Sequence, residues 1–288
     1  MEVDIKPDGS ERVKYNIAGL PLYVLRGILS TYPNYAAESH WHDDLEFIAV
    51  QSGKMQYNIN GEIVNLHTGN GIFVNAKQFH FGFSDCHSEC EFLCVLFHPA
   101  LICLSQDMEK TFIAPIVGNT ALSYCVLHGN IEWENRVLTI LSELFTANDL
   151  KKVSLIYDLW DEFCRHKSVM MKTEANKNTK LNVLKEMIVF IQNNYKERIC
   201  LADIAKAGTV GKTECCGIFQ KFTNLTPILY LNDYRLRKSA ELLITTDMTV
   251  TEICYEVGFS GASYFSEIFK RTFRCTPKEF RAKTRSIT

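Results

Sequence analysis

The chain has 288 residues, 47% of them hydrophobic and 22% charged, with a formal net charge of −2. That is the composition of a folded globular protein with room for two domains, and it excludes disordered and collagen-like classes. Its longest apolar runs, such as Phe92-Leu93-Cys94-Val95-Leu96-Phe97, are far too short to span a bilayer, and MEVDIKPDGSER at the start lacks the apolar centre of a signal peptide. A cytoplasmic location is therefore expected, with the 11 cysteines reduced.

Residues 20–100 alternate apolar and polar positions in short runs, separated by the turn signals Gln51-Ser52-Gly53, Asn60-Gly61 and Gly69-Asn70-Gly71. MQYNINGEIVNL predicts two strands joined by a tight Asn-Gly hairpin. Many short strands at this spacing suggest a sandwich or a barrel.

HWHDDLEF, residues 40–47, is the most chemically loaded stretch. Strand alternation would send His40, His42 and Glu46 to one face, with His80 arriving from a neighbouring strand. Three histidines and a glutamate are a donor set for Zn, Fe, Mn or Ni. His42, Glu46 and Gly53, followed by a block from Gly69 to His80 and Ser84, resemble the two motifs of the cupin barrel. The departures are Asn75 for the usual proline, Lys77 for glycine and Ser84 for asparagine. The resemblance covers roughly residues 20–100. Cys86, His87, Cys90 and Cys94 have the look of a soft-metal cluster, but their place beside a strand favours buried packing.

From about Ile131 to His166 the period becomes helical. Trp133, Val137, Ile140, Leu141 and Leu144 form one stripe, and a second helix is predicted over Val153–Arg165. This hairpin is expected either to form a dimer interface or to cover the barrel. KSVMMKTEANKNTK, residues 167–180, is polar and aperiodic and predicts a linker.

The charge changes sign across that linker. Residues 181–288 carry 16 Lys+Arg against 11 Asp+Glu, whereas residues 1–180 carry 15 against 22 and all eight histidines. A basic C-terminal part on an acidic N-terminal part points to a polyanion partner.

The C-terminal part is helical, with Leu181, Leu184, Ile188 and Ile191 on one stripe, Thr226-Pro227 as a helix start, and capping boxes at Thr249–Glu252 and Thr276–Glu279. It also repeats. Phe219-Gln220-Lys221 aligns with Phe269-Lys270-Arg271 and Thr226-Pro227 with Thr276-Pro277, an offset of 50; with a one-residue shift, LADIAKAGTV aligns with VTEICYEVGF. Each copy is a short helix, a glycine-containing turn and a second amphipathic helix, which is the helix-turn-helix plan. On a helical wheel Cys215, Ile218, Phe219 and Phe222 face inward in the first copy, and Phe265, Ile268, Phe269 and Thr272 in the second. Lys212, Thr213, Glu214, Gly217, Gln220 and Lys221 lie at or near the front of the first second-helix. Ser260, Ala262, Ser263, Glu267, Lys270 and Arg271 do so in the second. A polar front on an apolar back suits a major groove. The connecting helix from Thr226 spans about 28 Å, of the order of the ~34 Å between successive half-sites. Arg235, Arg237 and Lys238 are expected to be available to phosphates.

This stretch of about 100 residues resembles the double helix-turn-helix domain of AraC-type transcription regulators. The anchors include Phe219, Thr226-Pro227, Arg235-Leu236, Ala240, Ile253, Gly258-Phe259, Ser263-Tyr264-Phe265, Phe269-Lys270 and Thr276-Pro277. Gly217 and Glu267 replace residues that are often basic in the family, and Asn224 and Arg274 replace its usual glycines. The resemblance implies a DNA-binding regulator, more often an activator, whose barrel senses a small molecule such as a carbohydrate. His40, His42, Glu46 and His80, with Trp41 as a stacking face, would then bind the effector. Promoter DNA, a second copy of the chain and RNA polymerase are the implied partners, with no membrane.

The expected architecture is α+β in two domains: a cupin-like double-stranded β-barrel with a helical hairpin over residues 10–166, and an all-α double helix-turn-helix over 181–288. No cofactor is expected to be required, although a divalent metal in the barrel stays open. So does the rival reading of a cupin metalloenzyme or metal sensor carrying a DNA-binding tail. A DNA binder that senses nothing is a third reading. No phosphate loop, dinucleotide fingerprint or nucleophile–base motif is present, and catalysis is not expected.

Overall fold

The structure, a computed structural model, describes residues 10–119, 121–166 and 179–285. It divides into two compact units, one holding Ser10–Thr179 and the other Lys180–Thr288. Among the described residues no helix is long and apolar enough to cross a membrane.

The strands of the first unit pair antiparallel. Its strands are β1 (Leu22–Ile28), β2 (Leu45–Ile59), β3 (Glu62–His67), β4 (Asn70–Val74), β5 (His80–Phe83), β6 (Cys90–Phe97) and β7 (Tyr124–His128). The long strand β2 belongs to two sheets. Its first half runs between β6 and β4 in the order β1-β6-β2-β4-β7, and its second half runs between β3 and β5. The change of partner comes at a register shift between Val50 and Ser52, the bend that a bulge introduces into a strand. Gly53 is required there: its φ is +81°, and a Cβ would stand 2.2 Å from the Glu89 carbonyl oxygen. Asn60 and Gly61, with φ of 51° and 82°, close the β2–β3 hairpin between the paired Ile59 and Glu62, as the Asn-Gly signal predicted.

Alternation along β2 divides the interior into two cores. Leu45, Phe47 and Ala49 face one apolar cluster and Ile48 and Val50 the other. The first cluster is closed by two helices, α1 (Glu132–Thr146) and α2 (Asp149–Arg165). Val137, Ile140, Leu141 and Leu144 of α1 and Leu155, Ile156, Leu159 and Phe163 of α2 pack there with Phe47, Phe73 and Phe97 of the sheet. The stripe predicted for the hairpin is buried against the sheet. Helix α2 also starts four residues before the predicted Val153, because the Asn148 side chain accepts from Lys151 N at 2.9 Å and caps it there.

The predicted linker lies outside the described residues except for Thr179 and Lys180, which open helix α3 (Thr179–Asn194). The second unit continues with α4 (Leu201–Ala207), α5 (Lys212–Thr223), α6 (Pro227–Thr245), α7 (Val250–Glu256), α8 (Ala262–Phe273) and α9 (Pro277–Arg285). The predicted caps form: Thr226 accepts from Leu229 N, and Thr249 and Glu252 exchange bonds, as do Thr276 and Glu279. Each repeat is tied by an arginine. Arg235 on α6 reaches back to the loop before α4, and Arg281 on α9 donates to the Leu243 and Met248 carbonyls before α7.

Candidate effector pocket and nucleic-acid interface

The second core surrounds a cavity of about 280 Å³ in the first unit. Tyr23, Tyr32, Tyr57, His40 and Glu46 give it hydroxyl, imidazole and carboxylate groups. Leu29, Ile48, Met55, Phe92, Cys94 and Leu96 give it apolar walls, and Ala37, Gly82 and residues 11–14 complete the lining. Alternation on β6 brings Phe92, Cys94 and Leu96 to this side, as their shared face in the sequence predicted.

The four residues singled out in the sequence converge. The donor atoms of His40, His42, Glu46 and His80 all lie within 4.8 Å of one another, and all four residues are buried. His42 Nε2 is 3.2 Å and His80 Nε2 3.0 Å from Glu46 Oε2, while Tyr57 donates its hydroxyl to Glu46 Oε1. Strand alternation is only part of the reason. His40 and His80 form an isolated bridge, and the chain bends at Asp43-Asp44 before β2 begins, so the two histidines and Glu46 do not sit on one continuous strand. Each ring is also held from behind. His40 Nδ1 faces the Glu38 carbonyl at 2.7 Å, His42 Nδ1 that of Asp44 at 3.1 Å, and His80 Nδ1 that of Gln78 at 2.9 Å. A carbonyl requires N–H at Nδ1, so the three Nε2 atoms are the ones offered inward.

Charge in the cluster follows from burial and neighbours. Burial, with His80 and His42 close by, lowers His40 to about 3 and keeps it neutral. Burial works against a charge on His42 as well, but the hydrogen bond and charge of Glu46 raise it above its ordinary value. Burial opposes ionisation of Glu46 too, yet His80 and His42 hold its carboxyl well below the usual range. Burial and the Glu46 charge push the Tyr57 hydroxyl well up, so it remains a donor.

His40 and Glu46 line the cavity, whereas His42 and His80 are not among its lining residues. Trp41, expected to offer a stacking face, is not among them either; its carbonyl accepts from Glu11 N. Sequence reasoning missed Tyr23, Tyr32, Tyr57 and residues 11–14. Tyr57 carried a signal, since it shares a face of β2 with Met55, which also lines the cavity. The cysteines of the 86–94 stretch do not gather: Cys86 is exposed, Cys90 buried and Cys94 half-buried. Among the described residues, the only group spaced for a metal is the His40, His42, Glu46, His80 set. Lys77, in place of the cupin glycine, adopts a φ of 66°, and Asn75, in place of proline, donates to the Ile116 and Leu122 carbonyls.

In the second unit the apolar backs of the two candidate recognition helices are pinned. Cys215, Ile218, Phe219 and Phe222 of α5 are buried, as are Phe265, Ile268 and Phe269 of α8. Lys212, Thr213, Glu214, Gly217, Gln220 and Lys221 are consequently exposed on α5, and Ser263, Glu267, Lys270 and Arg271 on α8. Ser260 is exposed before α8, and Ala262 at its start is half-buried. Arg235 is the exception. It was expected to reach phosphate, but it is 8% exposed and donates to the Tyr195 and Glu197 carbonyls at 2.7 and 2.8 Å. Arg237 and Lys238 face Asp233 and Glu241.

Known proteins share both units. Residues 22–117 match the family described as AraC-like ligand binding domain, and residues 204–283 match the family described as Helix-turn-helix domain. YdeC of Bacillus subtilis (strain 168), an HTH-type transcriptional regulator, is 30% identical over 278 residues, covering 94% of this chain and 95% of its own. The HTH-type transcriptional activator RhaR of Mannheimia succiniciproducens is 25% identical over 248 residues, covering 85% and 87%. Among solved structures, ToxT from Vibrio cholerae O395 aligns over 91% of this chain and 97% of its own, at 14% identity and a TM-score of 0.43. The chain belongs to the AraC-type transcription regulators, DNA-binding proteins with an N-terminal ligand-binding domain and a C-terminal helix-turn-helix region.

Proposed function

We propose that the cavity of the first unit takes a small hydroxylated metabolite, with carbohydrates the first class to test, and that its occupancy changes how the chain engages a promoter. The observation that carries this reading is the polar group of Glu46, Tyr57 and His40 in a cavity of about 280 Å³ whose other walls combine apolar side chains with Glu11, Arg12 and Lys14. A mostly apolar pocket with a few converging polar groups is the usual form of a small-molecule site. Tyr23 and Tyr32 add hydroxyls to the same lining. The regulator acts in the cytoplasm as a homodimer and activates transcription with RNA polymerase. The effector shifts the population of conformers in which the two DNA-binding units can engage paired half-sites. Because the hairpin stripe is buried against the sheet, dimer contacts use other surfaces. Exposed Leu150 and Phe145, at the turn between the helices, are the first to substitute. Catalysis plays no part in this reading. The test is binding of the full chain to operators of varied half-site spacing, with and without each metabolite that raises its melting temperature. A spacing preference that changes with ligand is expected; identical binding at every spacing overturns the reading.

One observation favours a second reading. The donor set fits a divalent transition metal, because all three Nδ1 atoms face carbonyls while the Nε2 atoms and Glu46 converge. His42 and His80 each have acceptors at both ring nitrogens, an arrangement that a cation at the centre would satisfy. Bound there by His40, His42, Glu46 and His80, a metal would supply a Lewis-acidic point for an effector oxygen. About one metal ion per chain in protein purified without chelator, lost in His40→Ala/His42→Ala, is the expected result; no metal in either sinks this second reading alone.

A further inference from the structure

We propose that the two helix-turn-helix motifs divide their labour: the second reads base sequence through Glu267, which accepts from a cytosine amino group in the major groove, and the first holds the duplex without selecting bases. The proposal rests on the DNA-binding role of the second unit and adds to it which motif chooses sequence.

The two outward faces differ in what they have left to offer. On α5, Gly217 presents no side chain at the centre of the face, and a Cβ built there meets nothing within 4 Å. Gln220 commits one of its two amide N–H groups to Asn224 Oδ1 at 2.8 Å, and Glu214 faces Lys180 Nζ at 3.4 Å. On α8, Ser263, Glu267 and Lys270 recur at i, i+4 and i+7 on an exposed face. Among the described residues no hydrogen bond or ion pair engages them. Phe265, Ile268 and Phe269 are at most 4% exposed and fix the rotation of the helix, so Glu267 has no inward alternative.

An unpaired carboxylate on such a face is an acceptor only. In the major groove the exposed amino donors are those of cytosine and adenine, and adenine sets its N7 acceptor beside the amino group, where it repels a carboxylate. Cytosine is therefore the base that Glu267 selects. Lys270 and exposed Arg271 supply the opposite charge for flanking phosphates, which give affinity without sequence choice.

The test is selection of duplexes from a randomised pool by the full chain, comparing wild type, Glu267→Ala, Glu267→Gln and Thr213→Ala/Gln220→Ala, with a thermal melt of each. Wild type is expected to retain one cytosine position with about tenfold preference over other bases. Glu267→Ala removes that preference without weakening binding to unselected DNA, since it deletes a negative charge that faces phosphates. Glu267→Gln moves it to adenine, whose N6 and N7 match an amide. Thr213→Ala/Gln220→Ala leaves the retained sequence unchanged. The proposal is overturned if Glu267→Ala raises affinity for all duplexes alike with the same base profile, since the carboxylate then only repels phosphate. It is equally overturned if the α5 variant erases the main preference. A wild-type chain that binds no duplex at all would overturn the DNA-binding role itself. The isosteric Glu267→Gln, at an exposed position, keeps the result independent of folding.

Discussion

The Nε of Arg235 donates to the carbonyl oxygen of Tyr195 across 2.7 Å, joining residues 40 positions apart. Nη2 of the same side chain donates to Glu197 O, and the guanidinium lies 5.6 Å from the centre of the Phe259 ring. One planar group thus ties α6 to the loop before α4. Lysine offers a single ammonium and does not reproduce the fork. Arg235→Met is expected to destabilise the second unit by about 2 kcal/mol, because two part-buried carbonyls lose charged donors. The salt dependence of DNA binding separates this role from a phosphate contact. At a temperature where the variant is folded, its log–log slope stays at the wild-type value, whereas a lost phosphate contact would reduce it by about 0.9.

Arg235 also shows where a sequence stops being readable. Its position on a basic helix suggested an outward charge, but burial depends on what the preceding loop brings against it, and no period in α6 encodes that loop. Elements with local signatures were legible: the Asn60-Gly61 hairpin, the Thr226, Thr249 and Thr276 caps, and the apolar backs of α5 and α8. The convergence of His40, His42, Glu46 and His80 was legible in membership but not in mechanism. The bend at Asp43-Asp44 and the carbonyls behind each ring are tertiary facts. The three cavity tyrosines were hidden for the same reason, since Tyr23, Tyr32 and Tyr57 come from separate segments and only folding gives them one cavity.

Two equivalent helix ends give a direct test of backbone strain. Asn224 after α5 and Arg274 after α8 both adopt left-handed conformations, with φ of 56° and 58°. Asparagine tolerates this region, whereas arginine carries the full Cβ cost. Arg274→Gly is expected to stabilise the second unit by about 1 kcal/mol, and Asn224→Ala to destabilise it by a similar amount. Denaturant midpoints at constant slope check both. A destabilised Arg274→Gly would mean that the arginine's own contacts outweigh its strain.

Phe163 separates the two roles considered for the helical hairpin. It is 0% exposed and meets Phe73 at a ring-centre distance of 4.5 Å and Phe47 at 5.5 Å. Phe163→Ala is expected to cost about 3–5 kcal/mol in the first unit, the range for deleting a buried aromatic ring. If the stripe only covers the sheet, oligomeric state measured by light scattering under folding conditions stays unchanged. A variant that remains folded but shifts to monomer would return the stripe to an interface role.

The acid limb of stability is expected to trace to His40 and Glu46. Burial beside His80 and His42 holds His40 at about 3 in the folded chain, against an ordinary value of 6.5. Between those values the unfolded chain binds a proton that the folded chain refuses, so stability falls as pH drops from 6.5 toward 3. One such group imposes a slope of at most about 1.4 kcal/mol per pH unit. Glu46 acts in the same direction, since its depressed value gives stability present above about 4.5 and lost as pH falls through its folded value. His42 has the opposite sign. Raised by Glu46, it contributes stability that is complete below 6.5 and disappears as pH rises through its folded value. In protein stripped of metal with chelator, His40→Gln should flatten the melting-temperature profile between pH 6.5 and about 4.5, where the Glu46 contribution is still complete and adds no slope. His42→Gln should flatten its alkaline side. An acid limb of unchanged slope in His40→Gln would show that the imidazole is not the group refusing the proton.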